Sequence, residues 1–95
     1  MRKNTREVLK AWIAKEAKGN RGESISTDGT TIYSYNTAIV GRIPVVGMEE
    51  VGITINTTKY SPTTSNQQNS IINYFEVNDI GYNEVINVPI GTLDR

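Results

Sequence analysis

Residues 23–43 read ESISTDGTTIYSYNTAIVGRI. The pair Asp28-Gly29 stands between two runs of β-forming residues, ESIST and TTIYSY. Asp and Gly tolerate the positive φ of a tight hairpin turn, so this spacing predicts a β-hairpin over residues 23–35. Alternation along its second strand sets Tyr33 and Tyr35 on one face and Ile32 and Ser34 on the other. TAIVGRI, residues 37–43, predicts a third strand, with Asn36 at the bend between them. Pro44 has no N–H to give and ends that ladder. PVVGMEE after it reads as a loop or a short edge segment.

On the C-terminal side, VGITINTT (51–58) alternates cleanly. Val51, Ile53, Ile55 and Thr57 face one way; Gly52, Thr54, Asn56 and Thr58 face the other, which predicts a half-buried strand with a wet face. Residues 61–76 predict a helix. Its start is set either by Ser61 with Pro62 at the first helical position or by Ser65 with Gln68 in a capping box. Its inner stripe is Gln68, Ile71, Ile72 and Phe75. EVINVPI near the end suggests a short last strand through Val85, Ile86 and Val88, limited by Pro89. On the N-terminal side, residues 4–18 predict an amphipathic helix, opened by an Asn4/Glu7 capping box with Thr5 as a competing cap and stopped at Gly19-Asn20. Val8, Leu9, Trp12 and Ile13 make its apolar stripe, with Trp12 as a core anchor.

Composition agrees with this reading. Ile and Val number 20 against 2 Leu, and there are 11 Thr and 10 Asn. Stiff β-branched side chains favour pleated strands, and Asn favours turns and caps. Ninety-five residues fit one domain. The expected fold class is α+β: a three- or four-stranded, mostly antiparallel sheet packed against the N-terminal helix and a second helix near residues 61–76.

The chain has no Cys and no His. Zinc held by Cys/His ligands, Ser-His-Asp and Cys-His catalysis, and a histidine pH switch are therefore excluded. Glu49-Glu50, Asp79 and Glu84 lack metal-loop spacing, so no metal and no cofactor is expected. No stretch is long and apolar enough for a signal peptide or a membrane span, which points to a cytoplasmic protein. Net charge is zero but unevenly spread. Residues 1–21 hold seven cations and two acids, a net +5; residues 22–95 hold three cations and eight acids, a net −5.

Three segments are candidates for binding. The first is the polar run into the second helix, with Lys59, Tyr60, Ser61, Thr63, Thr64, Ser65 and Gln68. A helix start offers unpaired N–H groups and a partial positive charge, which suits phosphate or carboxylate. The same side chains would equally serve as a helix cap and a strand-to-helix corner. No Gly-rich phosphate loop is present. The second is Tyr33, Tyr35 and Asn36, with Tyr60, on a sheet face, where aromatic rings could stack bases or simply cover the sheet. The third is the basic first helix, with Lys10, Lys15 and Lys18 as contacts for nucleic acid or for an acidic protein, or as a solvated face docked on an acidic body.

Thr27-Asp28-Gly29, then Tyr33-Ser34-Tyr35-Asn36-Thr37-Ala38-Ile39, then Lys59-Tyr60-Ser61-Pro62-Thr63-Thr64-Ser65 with Gln67, then Val88-Pro89-Ile90-Gly91-Thr92 follow one another in an order that resembles a group of small, uncharacterised proteins of bacteriophages and other mobile elements. The resemblance covers roughly residues 23–95, and its middle motif is the most specific. Many members of that group carry a histidine near the position of Gln67; this chain has none, so no imidazole role carries over. The resemblance implies an accessory protein acting in a host bacterial cytoplasm and brings no activity with it.

The functional expectation is a non-enzymatic binding protein that engages a host protein or a host defence component. Two alternatives stand beside it: a sponge for a nucleotide or nucleotide-derived signal at the second helix, and nucleic-acid binding through the first. The polar sheet face could also serve as a contact between copies of the chain.

Overall fold

The computed structural model describes residues 2–44 and 51–85. In chain order the elements are α1 (Lys3–Ile13), β1 (Ser26–Thr27), β2 (Ile32–Ser34), β3 (Thr37–Pro44), β4 (Val51–Asn56), α2 (Pro62–Val77) and β5 (Asn83–Val85). The five strands form one sheet in the order β1-β2-β3-β4-β5. The α+β class is as expected, with one strand more than the three or four anticipated. Neighbours are antiparallel except β4 and β5, which run parallel. A parallel pair needs a crossover, and α2 supplies it. Ile86, Val88 and Pro89, with the PVVGMEE segment beyond Pro44, lie outside the described residues.

One apolar cluster joins the helices to the sheet: Val8, Leu9 and Trp12 from α1, Ile32, Ile39, Val40 and Ile55 from the strands, and Ile71 and Phe75 from α2. Ile32 pairs with Val40, and Val40 with Ile55, so three strands contribute one continuous row. Between Ile32 and Tyr33 the register shifts by one residue on β3. Such a bulge breaks strict alternation. It lets the consecutive residues Ile39 and Val40 both enter the core. Trp12 and Phe75 meet with ring centroids 5.7 Å apart, which places both helices on the same face.

The hairpin forms at residues 26–34, but its turn differs from a two-residue Asp-Gly loop. Thr27 pairs with Ile32, leaving four residues between the strands. The Asp28 carboxylate accepts from Thr30 N–H and Thr31 N–H, and Thr27 Oγ1 accepts from Gly29 N–H and donates to the Thr31 carbonyl. These side-chain bonds make the longer loop self-sufficient. At the next bend Tyr35 and Asn36 connect Ser34 to its partner Thr37, as expected for Asn36. Only Tyr35 has positive φ there (54°), the sign pattern of a type II′ turn, where glycine is the usual occupant.

α1 is shorter than the predicted 4–18, ending at Ile13 rather than at Lys18. The expected Asn4/Glu7 box does not form; Arg2 is the N-cap and makes no side-chain cap bond. The C-terminal end is a Schellman motif with Lys15 in the left-handed position (φ 61°). Lys15 N–H donates to the Trp12 carbonyl and Glu16 N–H to the Ala11 carbonyl. The reason is tertiary. The hairpin turn packs against this end so closely that a Cβ on Gly29 would lie 2.9 Å from the Lys15 carbonyl oxygen. Early termination also leaves Ile13 outside the core, 42% exposed.

Two substitutions test this joint by urea denaturation. Lys15→Gly relieves the left-handed strain and should raise stability by up to about 1 kcal/mol. Gly29→Ala meets a backbone oxygen at a φ of 98°, and should lower it by about 2 kcal/mol. Both should move the midpoint with an unchanged slope.

Candidate functional site

The polar segment between β4 and α2 folds into a bonded corner. Ser61 is the N-cap of α2: its Oγ accepts from Thr64 N–H and donates to Thr64 Oγ1. Thr64 Oγ1 shares a further 2.8 Å bond with Ser34 Oγ across the helix–sheet interface. The earlier of the two expected helix starts is therefore the one used. Gln68 donates through Nε2 to the carbonyls of Asn56 (2.5 Å) and Thr58 (3.1 Å). Asn56 in turn donates through Nδ2 to the Ala38 carbonyl and to the Tyr60 hydroxyl, and accepts from Thr58 N–H. The face of β4 expected to be wet is thus buried at Thr54 and Asn56. An amide with several partners can be buried without stranding a polar atom, which alternation cannot foresee.

Little of this corner faces solvent as a binding surface. Thr64 and Gln68 are buried; Thr63 and Ser65 are half-buried; Lys59, Tyr60 and Ser61 are exposed. Pro62 brings no N–H, Thr64 N–H is held by Ser61, and Ser65 N–H bonds the Ser61 carbonyl. The N-terminus of α2 therefore has few donors left for an anion. Tyr33 is also covered: it is 5% exposed, with the Arg21 guanidinium 4.3 Å above its ring centroid. Arg21 additionally donates to the Asn36 carbonyl. Of the expected aromatic face, Tyr35 (48%) and Tyr60 (40%) are exposed.

The basic N-terminal segment is arranged differently from the expectation. Lys10 lies in the last turn of α1. Lys15 and Lys18 fall beyond the helix, and Lys18 pairs its backbone with Thr27 along the outer edge of β1. The exposed face of α1 is instead Lys3, Arg6, Lys10 and Ile13, at i, i+3, i+7 and i+10, with Arg2 at its start. Thr5, Val8, Leu9 and Trp12 are the buried residues of the helix. The first turn has no acidic residue. Cations there oppose the helix dipole and gather positive potential at one end.

Beside that end lies a cleft of about 210 Å³, lined by Arg2, Lys3, Asn4, Thr5, Ser24, Ile25 and Gln67. A smaller hollow of about 40 Å³ shares Arg2, Thr5 and Gln67 with it and is closed by Thr63, Asn66 and Ser70 of α2. The sequence marks Gln67 only through a resemblance and does not mark Arg2 or Thr5 as site residues. Two chain segments far apart in sequence build this cleft, and no local motif announces it.

Among the described residues, the pKa values of Arg42 and Tyr82 are shifted by their surroundings. Burial lowers Arg42. Tyr82 is raised by desolvation, then by its bond to Glu76 and by the charges of Glu76 and Glu84. Among the described residues, no three of His, Cys, Asp or Glu come together as metal ligands, and no helix is long and apolar enough to cross a membrane. Comparison with known proteins found no matching family model, curated protein or solved structure.

The corner predicts a graded response in thermal or urea unfolding. Ser61→Ala removes the cap and should cost about 1 kcal/mol. Gln68→Leu strands two carbonyls, one of them in a buried residue, and should cost more, about 2–4 kcal/mol.

Proposed function

We propose that this chain is a non-enzymatic binding protein, and that its partner is a protein carrying an acidic surface patch engaged by the exposed face of α1. The observation behind this reading is the stripe Lys3, Arg6 and Lys10 beside Arg2, all solvent-exposed, at a helix start that contains no acid. Seven residues of helix span about 10 Å, the scale of a local patch on a protein. Ile13 adds one exposed apolar contact at the end of the stripe. Paired with opposite charges, such a stripe steers association and sets orientation.

Nucleic acid draws less support. A long polyanion would also meet the net −5 of residues 22–95. Trp12 of α1 and Tyr33 beneath Arg21 are buried, so neither ring offers a stacking platform beside the cations. The nucleotide alternative at α2 draws less support because Ser61 already fills that helix start. The resemblance to phage proteins fits an accessory factor acting on a host component in the bacterial cytoplasm.

A photo-crosslinking residue in place of Ile13, used in bacterial lysate, tests the reading. The expected product is an acidic protein, captured after nuclease treatment. The double variant Arg6→Glu/Lys10→Glu should weaken capture about tenfold or more, and so should raised salt. An unchanged profile in the double variant would remove the basic face as the contact; nuclease-sensitive capture would shift the reading to nucleic acid.

A further inference from the structure

We infer that a second copy of the chain docks on this one, the basic face of α1 in each copy meeting the acidic end of α2 and β5 in the other. This rests on the reading of α1 as a docking face for an acidic surface, and deepens it by assigning such a surface on the same molecule.

The first support is the placement of charge. Residues 60–94 contain no Lys or Arg. Within them Glu76, Asp79 and Glu84 are all exposed. The last turn of α2 holds Glu76 and no basic residue, while the first turn of α1 holds Lys3 and Arg6 and no acid. Each helix thus carries, at that end, the charge its own dipole disfavours. A surface of opposite sign relieves both, and the two ends supply that sign to one another. Tyr82 ties β5 to this end: its hydroxyl donates to Glu76 at 3.0 Å. Residues 1–21 carry a net +5 and residues 22–95 a net −5. The sum is zero, so no overall repulsion holds two copies apart.

The second support is apolar. Ile13 closes the basic stripe, and Val77, 73% exposed, follows Glu76 in the acidic end. An exposed apolar side chain set among charges suits a contact with a small dry centre and a charged rim. The third support is position. Trp12 and Phe75, the sequence neighbours of Ile13 and Glu76, meet with ring centroids 5.7 Å apart. The end of the basic stripe and the acidic end therefore lie beside one another on the helical layer. A two-fold axis between them lets both docks form at once, which closes a dimer instead of extending a chain of copies.

The test is sedimentation equilibrium of the full chain in about 10 mM and about 1 M salt, where charges are screened beyond about 30 Å and about 3 Å. The wild type should be a dimer in low salt and a monomer in high salt. Glu76→Lys/Glu84→Lys and Arg6→Glu/Lys10→Glu should each weaken association about tenfold or more in low salt. An equimolar mixture of the two variants should recover a dimer holding one of each, a gain that no unfolded variant can produce. The milder Glu76→Gln/Glu84→Gln leaves Tyr82 an acceptor and should weaken association to a lesser degree. A wild type that stays monomeric in low salt, or a dimer untouched by Glu76→Lys/Glu84→Lys, would overturn the dock and leave the basic-face reading standing. A mixture that stays monomeric would overturn the pairing of these two surfaces. Dimerisation that survives Arg6→Glu/Lys10→Glu would overturn the dock and count against the basic face as well.

Discussion

The guanidinium of Arg42 is the joint on which the arrangement depends. It projects from β3, lies 3.9 Å from the centroid of the Trp12 ring, and donates to two backbone carbonyls, Gly29 at 2.7 Å and Trp12 at 2.6 Å. Trp12 Nε1 completes the circuit by donating to the Thr30 carbonyl at 2.7 Å. One side chain thus connects the end of α1, the hairpin turn and a central strand. Its partners among the described residues are a ring face and carbonyl oxygens rather than a carboxylate, and that suits the negative end of a helix dipole. Lysine has neither the planar fork nor the stacking surface for this geometry.

That joint explains where the chain exposes its charge. With α1 anchored at its C-terminal end, its basic residues cannot turn inward. Val8, Leu9 and Trp12 face Ile32, Phe75 and their neighbours in the core, and Lys3, Arg6 and Lys10 are left in solvent. The N-terminal turn, without a cap of its own, lies beside Thr63, Asn66 and Gln67 of α2. The cleft is the space between a helix fixed at one end and a helix fixed by its own Ser61 cap. The anchored end and the cleft therefore lie at opposite ends of the same eleven-residue helix.

Much of the fold was legible because local chemistry and tertiary structure agree. Ser61-Pro62 marks the start of α2, Asn36 sits at its bend, and Trp12 is an anchor in the core. The misreadings have a common cause: a partner distant in sequence overrode a local signal. Gly19-Asn20 is the better helix stop by residue type, yet packing of the hairpin turn ends α1 at Ile13 and places Lys15 in the left-handed position. Alternation predicted that Thr54 and Asn56 would be wet, yet Asn56 finds Ala38 and Tyr60. The one-residue bulge beside Ile39 leaves no trace in composition. Arg42 was visible as the one charge in TAIVGRI, a hint that a lone cation in a β-branched strand has a specific task. The candidate cleft was not legible, because its two walls are separate stretches that only the fold brings together.

Native-state hydrogen exchange on Arg42→Met tests the joint most directly, since methionine retains much of the packing volume but none of the donors. The expected result is lost protection of the amides in α1 and in the 26–34 hairpin, with the amides of α2 losing less. Equal loss of protection across α1, the hairpin and α2, or protection unchanged throughout, would contradict the claim that Arg42 is what holds the first helix in place.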